Sequence, residues 1–179
     1  MKLRRSILIA GAASTIAFCV ALPSPAYGVP GGTTASVTIE GGSLSITVPA
    51  AAGNLGSVAN AVSGETVSGP LGQVQVNDAR NAAAGSGWVA SVISTAFTPS
   101  AGPAIPASDV SYVAGTITQV GTATYTPNNP TDLTGVSPAV TATGITGDNS
   151  ATWIPTISVT VPGGMAPGVY SATITHSVI

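Results

Sequence analysis

Short runs in which apolar and polar residues alternate, cut apart by Gly, Pro and Asn clusters, fill the chain after residue 30. A period of two puts every second side chain on one face, which suits an extended strand with one buried side and not a helix. In SVTIE, residues 36–40, Val37 and Ile39 share a face. In SLSITV, residues 43–48, Leu44, Ile46 and Val48 do the same, and Pro49 ends the run. QVQVN, residues 73–77, sets Val74 and Val76 against polar neighbours. WVASVI, residues 88–93, is apolar on both faces, as a central sandwich strand can be. Residues 110–113, 122–126 and 139–143 are shorter candidates. TISVTV, residues 156–161, alternates well, and VYSATITHSV, residues 169–178, best of all.

The separators are turn chemistry: GG at 41, GNLG at 53, SGPLG at 68, AAAGSG at 82, TPNNP at 126, TGDNS at 146 and PGGMAPG at 162. Gly supplies positive φ, while Asn and Asp bond their own backbone. Residues 54–62 alone carry enough of a helical pattern for one short turn. The apolar residues are largely Val, Ile and Ala, and β-branched side chains favour strands. No repeat long enough for a solenoid is present. The expected fold is all-β, an antiparallel β-sandwich of Ig-like or jelly-roll-like type, with little helix outside the N-terminal leader.

That leader occupies residues 1–28 and reads as a secretory signal peptide. MKLRR is basic, residues 6–22 are apolar, and PSPAYG is short and turn-prone. Cleavage follows Ala26 or Gly28, with Gly28 the preferred site. Residues 6–22 lie at the bottom of the length range for a membrane span, and small residues and a terminal Pro weaken that alternative. Residues 29–179 then form one domain, secreted and without membrane contact after cleavage.

Removing the leader changes the charge. Lys2, Arg4 and Arg5 leave with it, so Arg80 is the single cation against six acids, a formal charge of −5. A domain with one cation does not bind nucleic acid or an anionic membrane electrostatically. The single cysteine, Cys19, also falls in the leader, so the mature domain has no disulfide. Phe18 precedes it where a lipoprotein signal needs a small residue, which makes Cys19 part of the apolar run.

Residues suited to catalysis are few. His176 is the one histidine, and no GxSxG elbow accompanies it. It shares a strand face with Tyr170, Ala172, Ile174 and Val178, which points to the packed side of a sheet. Neither a zinc ligand set nor a glycosidase carboxylate pair is recognisable, and no cofactor is expected. TGDNS and TPNNPTD are oxygen-rich, yet they lack the acid spacing of a calcium loop and read as turns. Asp78 and Arg80 are two apart, so they face the same side of an extended strand, where a guanidinium matches a carboxylate as a structural ion pair. Trp88 and Trp153 read as core anchors or as platforms that stack on sugar rings.

Three stretches together resemble the WxL domain of Gram-positive surface proteins, in its actinobacterial secreted form. They are LGQVQVNDARNAAAGSGWVASV (residues 71–92), IPASDVSYVAG (105–115) and GDNSATWIPTISVTVPGGMAPGVYSATITHSV (147–178). Family members similarly show a VxVxDxR run, a Gly-Trp a few residues later, and a closing strand with a Gly-x-Tyr. The resemblance runs from about residue 44 to the end. The first Trp-x-Leu motif falls at Trp88-Val89-Ala90, which keeps the Trp and replaces the Leu. The second falls at His176-Ser177-Val178, where the Trp is lost. The resemblance implies a non-covalent cell-wall-binding domain whose ligand is peptidoglycan or another wall component. It marks Trp88 as the matched ligand-binding residue, with the His176 position as a second; Trp153, as an aromatic platform, is a further ligand-binding candidate.

Sequence thus supports a secreted, cell-wall-associated, non-enzymatic sandwich. The alternative is a structural or interaction subunit that pairs with other surface proteins without touching the wall. A hydrolase using His176 ranks third.

Overall fold

Ten strands account for most of residues 34–179, which are the residues the computed structural model describes. They are β1 (Leu44–Thr47), β2 (Glu65–Pro70), β3 (Val74–Ser94), β4 (Thr98–Pro99), β5 (Val110–Val113), β6 (Thr118–Pro127), β7 (Ser137–Trp153), β8 (Thr156–Val161), β9 (Tyr170–Ser171) and β10 (Ile174–Val178). The leader, its cleavage site and Cys19 lie outside the described residues. Every strand pairing is antiparallel.

One sheet has the order β1-β3-β7-β6, with β10 continuing along the same edge of β3 as β1. The other has the order β2-β8-β5, and β4 pairs with β9 as a small ribbon. The two main sheets share their strands end to end. β2 runs into β3 through residues 71–73, β7 into β8 through 154–155, and β5 into β6 through 114–117. Three adjacent strands therefore turn one common corner, and a single three-stranded ribbon folds over on itself. Strands that switch sheets by bending are one way a sandwich closes without a long crossover.

The corner needs special backbone. Gly72 has φ +92, and a Cβ there would meet the Pro49 ring at 2.8 Å. On β2's side, the Leu71 N–H donates to the Pro155 carbonyl at 2.9 Å and ties two of the bends together. Inside the fold lie Val74, Val76, Trp88, Ala90 and Val92 of β3, and Val140, Ala142, Ile145 and Trp153 of β7. Facing them are Val110 and Tyr112 of β5 with Ile157 and Val159 of β8. The molecule is an all-β antiparallel sandwich, as its alternating pattern predicts. Within the described residues its helical content is one 3₁₀ turn, Ala107–Asp109.

Several local expectations change. Residues 36–40 form no strand, and Val37 and Ile39 are 88% and 90% exposed. Residues 54–62 form no helical turn. AAAGSG does not separate two strands, because β3 runs through it. β3 advances ten residues from Asp78 to Trp88 while β7 advances seven from Ala142 to Asn149. The surplus is taken up by bulges, which let a pair of strands bend without parting. Gly85 (φ 86) and Asn81 (φ 50) provide the left-handed backbone this requires. TGDNS likewise lies within β7, with Gly147 (φ 71) at the bend.

Candidate functional site

The bulge between Asp78 and Trp88 is held by one connected set of side chains. Asp78 is fully buried on β3. Arg80 turns back on it with both ends of its fork, Nε to Oδ1 at 2.8 Å and Nη2 to Oδ2 at 2.9 Å. The Arg80 backbone N–H adds a bond to Oδ1 at 3.2 Å. Across the sheet on β7, Asn149 Nδ2 donates to Asp78 Oδ2 at 3.3 Å. Asn149 Oδ1 in turn accepts the indole N–H of Trp88 at 3.1 Å and the hydroxyl of Tyr125 at 3.1 Å. Trp88 and Tyr125 also pack as a tilted ring pair with centroids 5.6 Å apart. The Arg80 hydrogen bonds hold the Asp78 carboxyl below the usual carboxylate range, against the opposing push of burial. Burial, with Asp78 as a smaller cause, raises the Tyr125 hydroxyl.

A second set crosses the sandwich. Trp153 Nε1 on β7 donates to the Tyr112 hydroxyl on β5 at 2.7 Å, and His176 Nε2 on β10 lies 3.3 Å from the same oxygen. The hydroxyl oxygen accepts from the indole N–H, so its own proton is free to be donated to His176 Nε2. The hydroxyl does so in the neutral tautomer with the proton on Nδ1, and accepts a second bond from Nε2 in the other tautomer. Burial pushes the imidazole down to about 4, which leaves it neutral at pH 7. The Tyr112 hydroxyl is pushed up, again by burial. Among the described residues, the side-chain hydrogen-bond partner of His176 is the Tyr112 hydroxyl.

His176 also reaches the floor of an open cleft of about 850 Å³. Leu71, Phe97, Ile105 and Val159 complete the floor, and residues 48–61 and 165–174 form the walls. The wall segments contribute apolar residues from Ala up to Leu55, Met165 and Tyr170, the amides of Asn54 and Asn60, and hydroxyls from Ser57, Ser171 and Thr173. Among the described residues, Glu65 is the one formal charge in the lining. Such a cleft suits an uncharged ligand that offers hydroxyls, amides and modest apolar faces.

The structure therefore separates the sequence-derived site residues. Trp88 and Trp153 are 2% and 1% exposed, and each spends its N–H inside the protein. Neither can stack on an external ring while the fold is closed. His176 is half-buried and borders the cleft. Asp78 and Arg80 form an ion pair joined through Asn149 to Trp88, which explains why a charge-poor chain places the three so close. Asn149, Tyr125 and Tyr112 were not distinguished by sequence. Asn149 sits within a turn-like TGDNS, and the tyrosines stand in unremarkable alternating runs.

Among the described residues no group of His, Cys, Asp or Glu is placed to hold a metal ion. The two oxygen-rich loops use their acids on backbone: Asp132 Oδ1 accepts from Thr134 N–H at 2.7 Å, and Asp148 Oδ1 from Asn81 N–H at 2.8 Å. Comparison with protein-family models, curated proteins and solved structures yields no match to this chain.

Proposed function

We propose that the chain beyond its leader is a secreted, non-catalytic surface domain that associates non-covalently with the cell wall, and that the cleft over His176 is where it does so. The observation that carries this reading is the chemistry of the cleft. It is open, nearly uncharged and lined by amide and hydroxyl groups, with an apolar floor. A peptidoglycan glycan strand offers matching acetamides, hydroxyls and sugar faces, and binding of this kind needs no ionic attraction. The basic, apolar and small segments of the leader support export, and the resemblance to WxL domains supports the choice of ligand. In this reading Trp88 keeps its motif position as a core anchor, and the ligand meets the separate Trp153–Tyr112–His176 set at His176.

The test is co-sedimentation of the protein, expressed from Val29, with isolated sacculi. Ala59 is exposed and lines the cleft, so Ala59→Trp adds bulk there without replacing a core residue. Wild type is expected in the pellet and folded Ala59→Trp in the supernatant. Wild type remaining in solution at every sacculus concentration would sink the proposal. A second reading, an interaction subunit of a surface assembly without wall binding, is favoured by the uncharged outer edge of β6.

A further inference from the structure

We infer that β6 is a self-association edge, on which a second copy of this chain docks antiparallel to continue the five-stranded sheet. β6 ends the strand order β1-β3-β7-β6. Among the described residues, none gives its outer edge a backbone partner. An edge left open in this way is a template for another strand unless charge, proline, shortness, a bulge that twists the edge away or a covering loop protects it, and β6 has bulges at Val120–Thr124 and none from Thr124 to Pro127.

The other edges carry such protection. β5 is covered by the loop after β6, with Tyr112 N–H on the Pro130 carbonyl at 2.8 Å and Ala114 N–H on Asn129 Oδ1 at 3.1 Å. β2 is six residues long, with Glu65 at its start and Pro70 at its end. β1 and β10 are only four and five residues long. β6 is ten residues, TQVGTATYTP, with no Lys, Arg, Asp or Glu and with Pro only at its last position.

Charge selects the occupant. The mature chain carries six acids and one cation, so two copies repel wherever acids face each other. An edge without charge meets its own copy with no like-charge opposition. Its straight part also fits itself. Bulges interrupt β6 on either side of Thr122, and regular pairing with β7 resumes at Thr124, Tyr125, Thr126 and Pro127. Tyr125 points inward to Asn149, so Thr124 and Thr126 stand exposed on the other face. Antiparallel pairing about a two-fold axis at Tyr125 sets Thr124 of one copy opposite Thr126 of the other, twice. Thr–Thr pairs are favourable cross-strand neighbours. An isologous contact of this kind closes at two copies. The ladder is short, so the dimer is expected to be concentration-dependent.

The experiment combines mass and cross-linking on the protein expressed from Val29, which has no cysteine of its own. Wild type is expected to shift from monomer towards dimer with concentration in analytical ultracentrifugation. Thr124→Lys, which places a charge on an exposed edge, should remain monomeric with an unchanged far-ultraviolet spectrum. A mixture of Thr124→Cys and Thr126→Cys proteins should oxidise to the mixed disulfide dimer faster than Thr160→Cys, exposed on β8, couples to itself. A monomeric wild type at every concentration would overturn the inference. A dimer that survives Thr124→Lys but disappears on deleting residues 29–42 would overturn it too, and would assign the occupant to the unpaired SVTIE segment.

Discussion

Asn149 Oδ1 accepts the Trp88 indole N–H at 3.1 Å, and the same amide holds the buried Asp78 carboxylate through Nδ2. One side chain on β7 thus satisfies a donor and an anion that β3 delivers from the two ends of its bulge. This links the sequence-level curiosity, an ion pair beside an indole, to a packing requirement. A strand that bulges at its middle leaves polar groups pointing into the core, and each needs a partner there.

Replacing Asn149 by Leu should therefore cost about 2–3 kcal/mol, since it strands the Trp88 N–H and removes one partner of a buried carboxylate. Urea unfolding followed by tryptophan fluorescence measures this. The native emission should also shift, because Trp88 loses its hydrogen bond. A loss of only a few tenths of a kcal/mol would mean that the bulge is held by backbone pairing alone.

The ion pair acts in a lower pH window. Arg80 holds the folded-state pKa of Asp78 below its unfolded value of about 3.9. A depressed carboxylate stabilises fully above the unfolded pKa and loses that stabilisation as pH falls through the folded one. Asp78→Asn should thus lower stability at pH 7 by about 1–2 kcal/mol, a modest figure because the Arg80 side chain is 38% exposed and remains hydrated when unpaired. The difference from wild type should shrink below about pH 4 and be constant above it. Denaturant midpoints across that range decide the matter.

The legibility of the fold follows the same physics. Val110–Val113 and Thr156–Val161 appear in the sequence with their observed bounds, since each alternates apolar against polar on a half-buried surface. β2, Glu65–Pro70, was hidden because only Thr66 and Val67 favour a strand and SGP reads as a turn, and it forms by pairing with β8. The continuity of β3 was hidden as well, because Ala and Gly in a bulge look like Ala and Gly in a turn. Asp78 and Arg80 were legible as a pair from their spacing of two. Asn149 was not, since its partners lie 61 and 71 residues away and nothing local marks it. The cleft is equally silent in sequence, being built from segments 48–61 and 165–174 that only the tertiary fold brings together.

Glycines on β6 and in the loop after it separate backbone demand from space. Gly121 has φ +87, and a Cβ there would lie 2.5 Å from the Asp148 carbonyl oxygen. Gly135 has open space and no such backbone. Gly121→Ala should cost about 2–3 kcal/mol and lower the thermal midpoint by roughly 5 °C or more. Gly135→Ala should be neutral or raise it slightly, by restricting the unfolded chain. Equal effects of the two would contradict the bulged geometry of β6.

His176 gives the chain a distinct acid response. Burial lowers its folded-state pKa to about 4 from an unfolded value of about 6.5, so the unfolded chain binds the proton first. Stability from this group is full above pH 6.5, declines as pH falls towards 4, and is level below that. A tenfold difference in proton affinity between the two states corresponds to about 1.4 kcal/mol, and the ring is partly exposed, so the whole decline should be about 2–3 kcal/mol. His176 is the only histidine, so no other side chain of the folded domain has an ordinary pKa between 5 and 6.5. The urea midpoint of wild type should fall between pH 7 and pH 5, and that of His176→Gln should fall much less. The same protonation makes Nε2 a donor facing the Tyr112 hydroxyl and puts a cation in the cleft floor. A wild-type midpoint that is flat from pH 7 to pH 5 would show that the imidazole ionises freely within the fold, and that the Trp153–Tyr112–His176 chain does not depend on a neutral ring.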